Sequence, residues 1–186
     1  MSTKQLVSGS ILSALTLLIL YCTLLLPTNT LTLLTLASIT VPIALIRENT
    51  KTAFMVYLTS SLLGVILLPL NISLMYVLFF GCYGLVKYFI EKLDRLPLEW
   101  LLKFVGFNII FACVYFLFDQ LIMPGAFSGL ITLIHQLMPN LNLSPTVIIF
   151  LLGQIGFFIY DYALTLLIDL YYAHVHSYLK FFPSVE

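Results

Sequence analysis

The stretch Gly153–Tyr172, GQIGFFIYDYALTLLIDLYY, decides how the chain is read. It is apolar over about the 20 residues that a helix needs to cross about 30 Å of hydrocarbon. Yet it carries Asp161 near its middle, with Gln154 before it and Thr165 after it. A carboxylate removed from water costs several kcal/mol unless a partner compensates. On a helix Gln154, Asp161, Thr165 and Ile168 or Asp169 recur at spacings of three, four and seven, so they share one stripe. That stripe must face protein, because lipid would leave each group unpaired.

The rest of the chain has the same character. Of 186 residues, 61% are hydrophobic and 9% charged, and the mean hydropathy is +1.10. This lies far from a soluble globular domain and predicts an integral membrane protein. Long apolar runs without period-two alternation predict helices and not a barrel. We expect one transmembrane domain over residues 1–186, an all-α bundle of six spans at about 6–26, 31–46, 52–70, 72–90, 100–122 and 145–172. The second span is short and contains Pro42, and the first reads as an uncleaved helix and not a signal peptide.

Charge placement predicts orientation. With the N-terminus inside, Lys4, Arg47, Lys51, Lys87, Lys92, Arg95, Lys103 and Lys180 all fall on the inner side, which accounts for all 8 basic residues. The positive-inside bias therefore puts both termini in the cytoplasm of a multipass cell-membrane protein. The formal net charge of zero gives no electrostatic reason to expect a nucleic-acid partner. Between spans five and six, residues 123–144 form a long uncharged outer connection whose centre, GLITLIHQLM, predicts a short extra helix and a candidate lid.

Asp161 needs a partner at its own depth. Lys87 lies about one turn inside the inner end of span four, and Asn108 lies a few turns inside span five. We expect a buried structural cluster of Lys87, Asn108, Asp161 and Thr165: an ion pair of Lys87 with Asp161, its hydrogen bonds completed by Asn108 or Thr165. The i,i+4 pairs Lys87/Glu91 and Glu99/Lys103 read as solvated or interfacial. Candidate substrate-binding residues on the outer side are Asn29, Asn71, Asp119, His135 and Gln136. Gly9/Ser13 and Ser10/Ala14 form overlapping small-xxx-small patterns, and Ser10 with Ala14 is the candidate contact for a partner helix. Cys22, Cys82 and Cys113 sit inside apolar runs as free packing residues, and His174 and His176, two apart, point to different helix faces. No cofactor, metal site or enzymatic activity is expected: zincin, nucleophile-elbow, Walker A and Rossmann patterns are missing from the sequence.

Six spans in a short chain, Ser10 and Ala14 on span one, and TSSLLGVILLP followed by YVLFFGCYGLVKYFIEKL resemble the substrate-binding S components of energy-coupling factor vitamin transporters. That resemblance implies a small neutral or aromatic ligand bound near the outer face, and docking of span one on a transmembrane coupling subunit driven by ATPases. The stretches KYFIEKL, LEWLLKFVGFN and YDYALTLLI also resemble an uncharacterised family of Gram-positive membrane proteins of similar architecture. The six-helix arrangement further resembles the small cell-shape membrane protein of the rod complex, which implies the alternative of a non-catalytic membrane scaffold of a multiprotein complex.

Overall fold

Two of the helices start where a side chain occupies an amide hydrogen that the first turn leaves open. In the computed structural model Ser2 caps α1 (Thr3–Leu25): Gln5 N donates to Ser2 Oγ, and Ser2 N donates to Gln5 Oε1. Asn49 caps α4 (Thr50–Leu67) by accepting from Thr52 N at 2.8 Å. The structure describes residues 2–93, 95–117, 128–137 and 144–181, without the side chains of 96, 128, 130, 134, 135, 137, 145 and 174–181.

After α1 a 3₁₀ turn, Pro27–Asn29, leads into α2 (Thr30–Ser38) and α3 (Thr40–Arg47). The break between them has a local cause. Pro42 lacks the N–H that would bond Ser38 O, and its ring crowds that carbonyl, so the helix is interrupted at Ile39. After α4 the chain continues through α5 (Leu70–Met75), a π-helical segment (Tyr76–Phe80), α6 (Gly81–Glu91), α7 (Leu96–Leu117), α8 (Ser128–Leu137) and α9 (Pro145–Phe181). No strand occurs among the described residues.

Among the described residues, six segments are long and apolar enough to cross a membrane: Thr3–Leu25, Pro27–Arg47, Thr50–Leu67, Leu70–Glu91, Pro97–Leu117 and Thr146–Ala173. The chain therefore has the all-helical architecture of a multipass membrane protein. The expected spans correspond to these, except that the second is two helices joined at Ile39 and the fifth begins earlier, at Leu96.

The chain divides into two compact units, one of residues Met1–Leu93 with Asp161–Glu186 and one of residues Asp94–Tyr160. In the first, α1 packs on α2, α3 and α4, and α6 packs on α2, α3 and α4. Leu12, Val41, Ala44, Ala53, Val56 and Leu85 form its centre. Two close approaches depend on glycine. A Cβ on Gly84 would lie 2.8 Å from Cδ and Cγ of Pro42, and one on Gly81 would lie 2.9 Å from the Tyr76 ring. The wide π turn sets Tyr76, fully buried, over Gly81 five residues on.

In the second unit α7 and the first half of α9 are joined by rings. Phe107 stacks on Phe157 with centroids 4.4 Å apart, Phe111 meets Phe150 edge-on at 4.9 Å, and Trp100 lies 5.8 Å from Phe158. Such pairs contribute about 0.5–1.5 kcal/mol each beyond their area. Gly153 admits the Phe111 ring, whose Cζ would be 2.8 Å from an added Cβ.

Gly84→Ala and Gly64→Ala give a matched test, since a Cβ on Gly64 would meet nothing within 4 Å. Both gain about 1 kcal/mol of helix propensity, but only the first collides with a rigid proline ring. Thermal unfolding in detergent should place Gly84→Ala about 1–3 kcal/mol below Gly64→Ala; equal stabilities would refute the close packing of α3 on α6.

Candidate functional site

Polar side chains in the first unit are drawn into helix-to-helix contacts. Near one end, Lys87 on α6 is buried, with its side chain 3% exposed, and its Nζ lies 2.6 Å from Asp161 Oδ1 on α9. The Tyr83 hydroxyl, one turn earlier on α6, donates to the same oxygen at 2.7 Å. Lys87 Nζ also lies 2.9 Å from Glu91 Oε1, whose side chain is 42% exposed. A chain of contacts thus runs from a half-exposed carboxylate through a buried ammonium and a buried carboxylate to a phenol. Lysine suits the middle position, because three donors on one nitrogen serve two acids at once.

Three points of the sequence expectation are corrected here. Thr165 donates to the Asp161 backbone carbonyl at 2.8 Å, one turn back on its own helix, not to the carboxylate. Asn108 belongs to a different couple: Gln154 Nε2 donates to Asn108 Oδ1 at 2.8 Å, and Asn108 Nδ2 donates to Phe104 O at 2.7 Å. A third point concerns the i,i+4 pairs. Lys103, 2.9 Å from Glu99, has only 3% of its side chain exposed and lies 5.8 Å from the Trp100 ring centroid, so neither lysine is a solvated surface charge.

Hydroxyls make the second set of contacts. Thr16 Oγ1 on α1 and Thr40 Oγ1 on α3 are 2.6 Å apart, both buried; Thr16 also lies 2.8 Å from Leu12 O on its own helix, and Thr40 lies 2.8 Å from Ala37 O at the end of α2. Each hydroxyl has one proton, so one threonine donates across the helices while the other donates back to its carbonyl. Ser60 Oγ on α4 meets the Tyr76 hydroxyl at 3.0 Å, Tyr57 donates to Val77 O at 2.9 Å, and Ser73 Oγ donates to Gly64 O at 2.8 Å. Sequence reading singled out none of these. Tyr83 could have been found, since its spacing of four from Lys87 puts both on one face of α6.

Of the candidate substrate residues, the structure describes the side chains of Asn29, Asn71 and Gln136. Asn29 is exposed in the 3₁₀ turn after α1, Asn71 is exposed at the start of α5, and Gln136 is exposed on α8. Asp119 and the side chain of His135 lie outside the described residues, as do the side chains of His174 and His176. On α1, Gly9 and Ser13 are buried, with a Gly9 Cβ 3.3 Å from Thr52 on α4, whereas Ser10 and Ala14 are exposed. Cys22, Cys82 and Cys113 are free. No group of three metal-ligating side chains occurs among the described residues.

In the second unit a groove of about 430 Å³ runs beside the Asn108–Gln154 pair, lined also by Phe104, Thr146, Phe150 and Leu151. Gln154 Oε1, buried there, has no hydrogen-bond partner among the described residues. No family model, curated protein or solved structure matches the chain.

Removing one member of the buried pair strands the other. Lys87→Met or Asp161→Asn should each destabilise the protein by about 3–5 kcal/mol, while the double variant Lys87→Met/Asp161→Leu recovers most of that loss. Tyr83→Phe should cost between about 0.6 and 3 kcal/mol. Unfolding of the four variants in detergent or bilayer measures this; full stability in both single variants would refute the pair's structural role.

Proposed function

We propose that the chain is a non-catalytic membrane scaffold, a subunit that holds a fixed helical frame for other membrane proteins. One observation carries this reading. Eight buried polar side chains of the first unit, Lys87, Asp161, Tyr83, Thr16, Thr40, Ser60, Tyr76 and Ser73, are engaged with each other or with backbone carbonyls; the buried Ser61 hydroxyl is an exception. A carrier or an enzyme needs polar groups aimed into a space that a substrate can enter. These groups instead close helix against helix. The exposed Ser10 and Ala14 leave one small-residue face of α1 open to an approaching helix. In this reading both termini lie in the cytoplasm and α8 belongs to the outer connection, in keeping with the distribution of basic residues.

A second reading, a substrate-binding subunit resembling the S components, has its own support in the groove beside Phe104, Phe150 and Gln154. A buried amide oxygen without a donor, next to two phenyl rings, suits a small neutral or aromatic molecule that brings an N–H or O–H.

The two readings separate by what the protein carries. Native mass spectrometry of the tagged chain, extracted from its own membrane into lipid nanodiscs, should show protein subunits at fixed ratio and no small molecule. A neutral molecule bound at one per chain, and lost in Phe150→Ala, would instead establish the binding reading.

A further inference from the structure

A second cleft, of about 390 Å³, opens in the first unit between the first turns of α1 and the last turn of α3. Its α1 wall has a gradient. Lys4, Val7, Ser8 and Ile11 follow at spacings of three and four, so they form one stripe that changes from charged to apolar over about 10 Å. Val7 and Ile11 are 52% and 63% exposed. Across from Lys4 stand Arg47 and Glu48, so two cations oppose one carboxylate. Neither Lys4 nor Arg47 is paired with an acid among the described residues; Arg47 interacts with the Tyr171 hydroxyl. Ser2 takes Gln5 N through its hydroxyl and Leu6 N through its carbonyl, and the cleft's two cationic side chains are Lys4 and Arg47.

We infer that this cleft binds an anionic phospholipid, its phosphodiester between Lys4 and Arg47 and an acyl chain along Val7 and Ile11. The gradient selects a lipid over a soluble anion, because inorganic phosphate uses the charged end and leaves the apolar stripe uncovered. It fits the depth at which a headgroup gives way to hydrocarbon, and it lies where the sequence collects its basic residues. Glu48 limits the net attraction and rejects a second anionic headgroup.

The full chain in neutral detergent, titrated with phosphatidylglycerol or phosphatidylcholine and followed by native mass spectrometry, tests this. Phosphatidylglycerol should bind more tightly. Lys4→Gln and Arg47→Gln should each weaken it about fivefold, and Glu48→Gln should tighten it about fivefold, the factor expected for one charge near a headgroup. Ile11→Ser should weaken it without any change of charge, and Lys92→Gln, an exposed lysine outside the cleft, should have no effect. Circular dichroism confirms that each variant keeps its helices. Equal affinity for the two lipids, or equal losses in Lys92→Gln and Lys4→Gln, would overturn the site. Displacement of the lipid by inorganic phosphate as readily as by phosphatidylglycerol would overturn its assignment to a lipid.

Discussion

An ammonium and a carboxylate 2.6 Å apart, with 3% and 9% of their side chains exposed, set the terms for the first unit. In an apolar helix bundle such a pair holds only if both partners remain together, since either alone is a buried charge. The Tyr83 hydroxyl on the same carboxylate oxygen and Glu91 on the same ammonium spread that charge over four groups. The attraction is not cheap stability: an apolar pair of equal size could serve as well or better. What the pair contributes is register, because α6 and the second half of α9 can meet at this depth in one alignment and not in another. Each slip of one residue would part the Asp161 carboxylate from the Lys87 ammonium, which would keep only Glu91 on its own helix.

Weaker contacts repeat the device elsewhere in the unit. Thr16 with Thr40 and Ser60 with Tyr76 join α1 to α3 and α4 to the π segment, at about 0.6 kcal/mol apiece by the average for such bonds in membranes. Lipid tails are as apolar as leucine, so close fit and hydrogen bonds must supply what the hydrophobic effect supplies in water. Glycine makes the fit close, as where Pro42 sits on Gly84. In the second unit the rings of Phe107, Phe111, Phe150 and Phe157 take over that role beside the amide pair Asn108–Gln154.

Much of this could be read from residue order, and the reasons for the rest are physical. Six spans follow from composition and length alone. Counting depth from the inner boundary brought Lys87 level with Asp161, because rise per residue is nearly constant in a helix. Depth says nothing about direction around the axis, so it does not reveal that Asn108 faces Gln154, seven residues before Asp161 on the same stripe of α9. Spacing of four between Glu99 and Lys103 reveals a pair but not its burial, and the pair is far more enclosed than a surface pair. Hydroxyl contacts such as Thr16–Thr40 leave no trace in sequence, since threonines in apolar helices also bond their own carbonyls. The interruption at Ile39 did have a sign, Pro42, three residues later.

The central claim is that Lys87 and Asp161 meet inside the protein as charged partners. Solid-state NMR of the chain in lipid bilayers, labelled with ¹⁵N at lysine side chains and ¹³C at aspartate, observes this directly. The account predicts a strong dipolar cross-peak between Lys87 Nζ and Asp161 Cγ that disappears in Asp161→Asn and resists exchange with deuterated water. A missing cross-peak in the wild-type protein, with a Lys87 ammonium that exchanges as freely as that of Lys92, would contradict it.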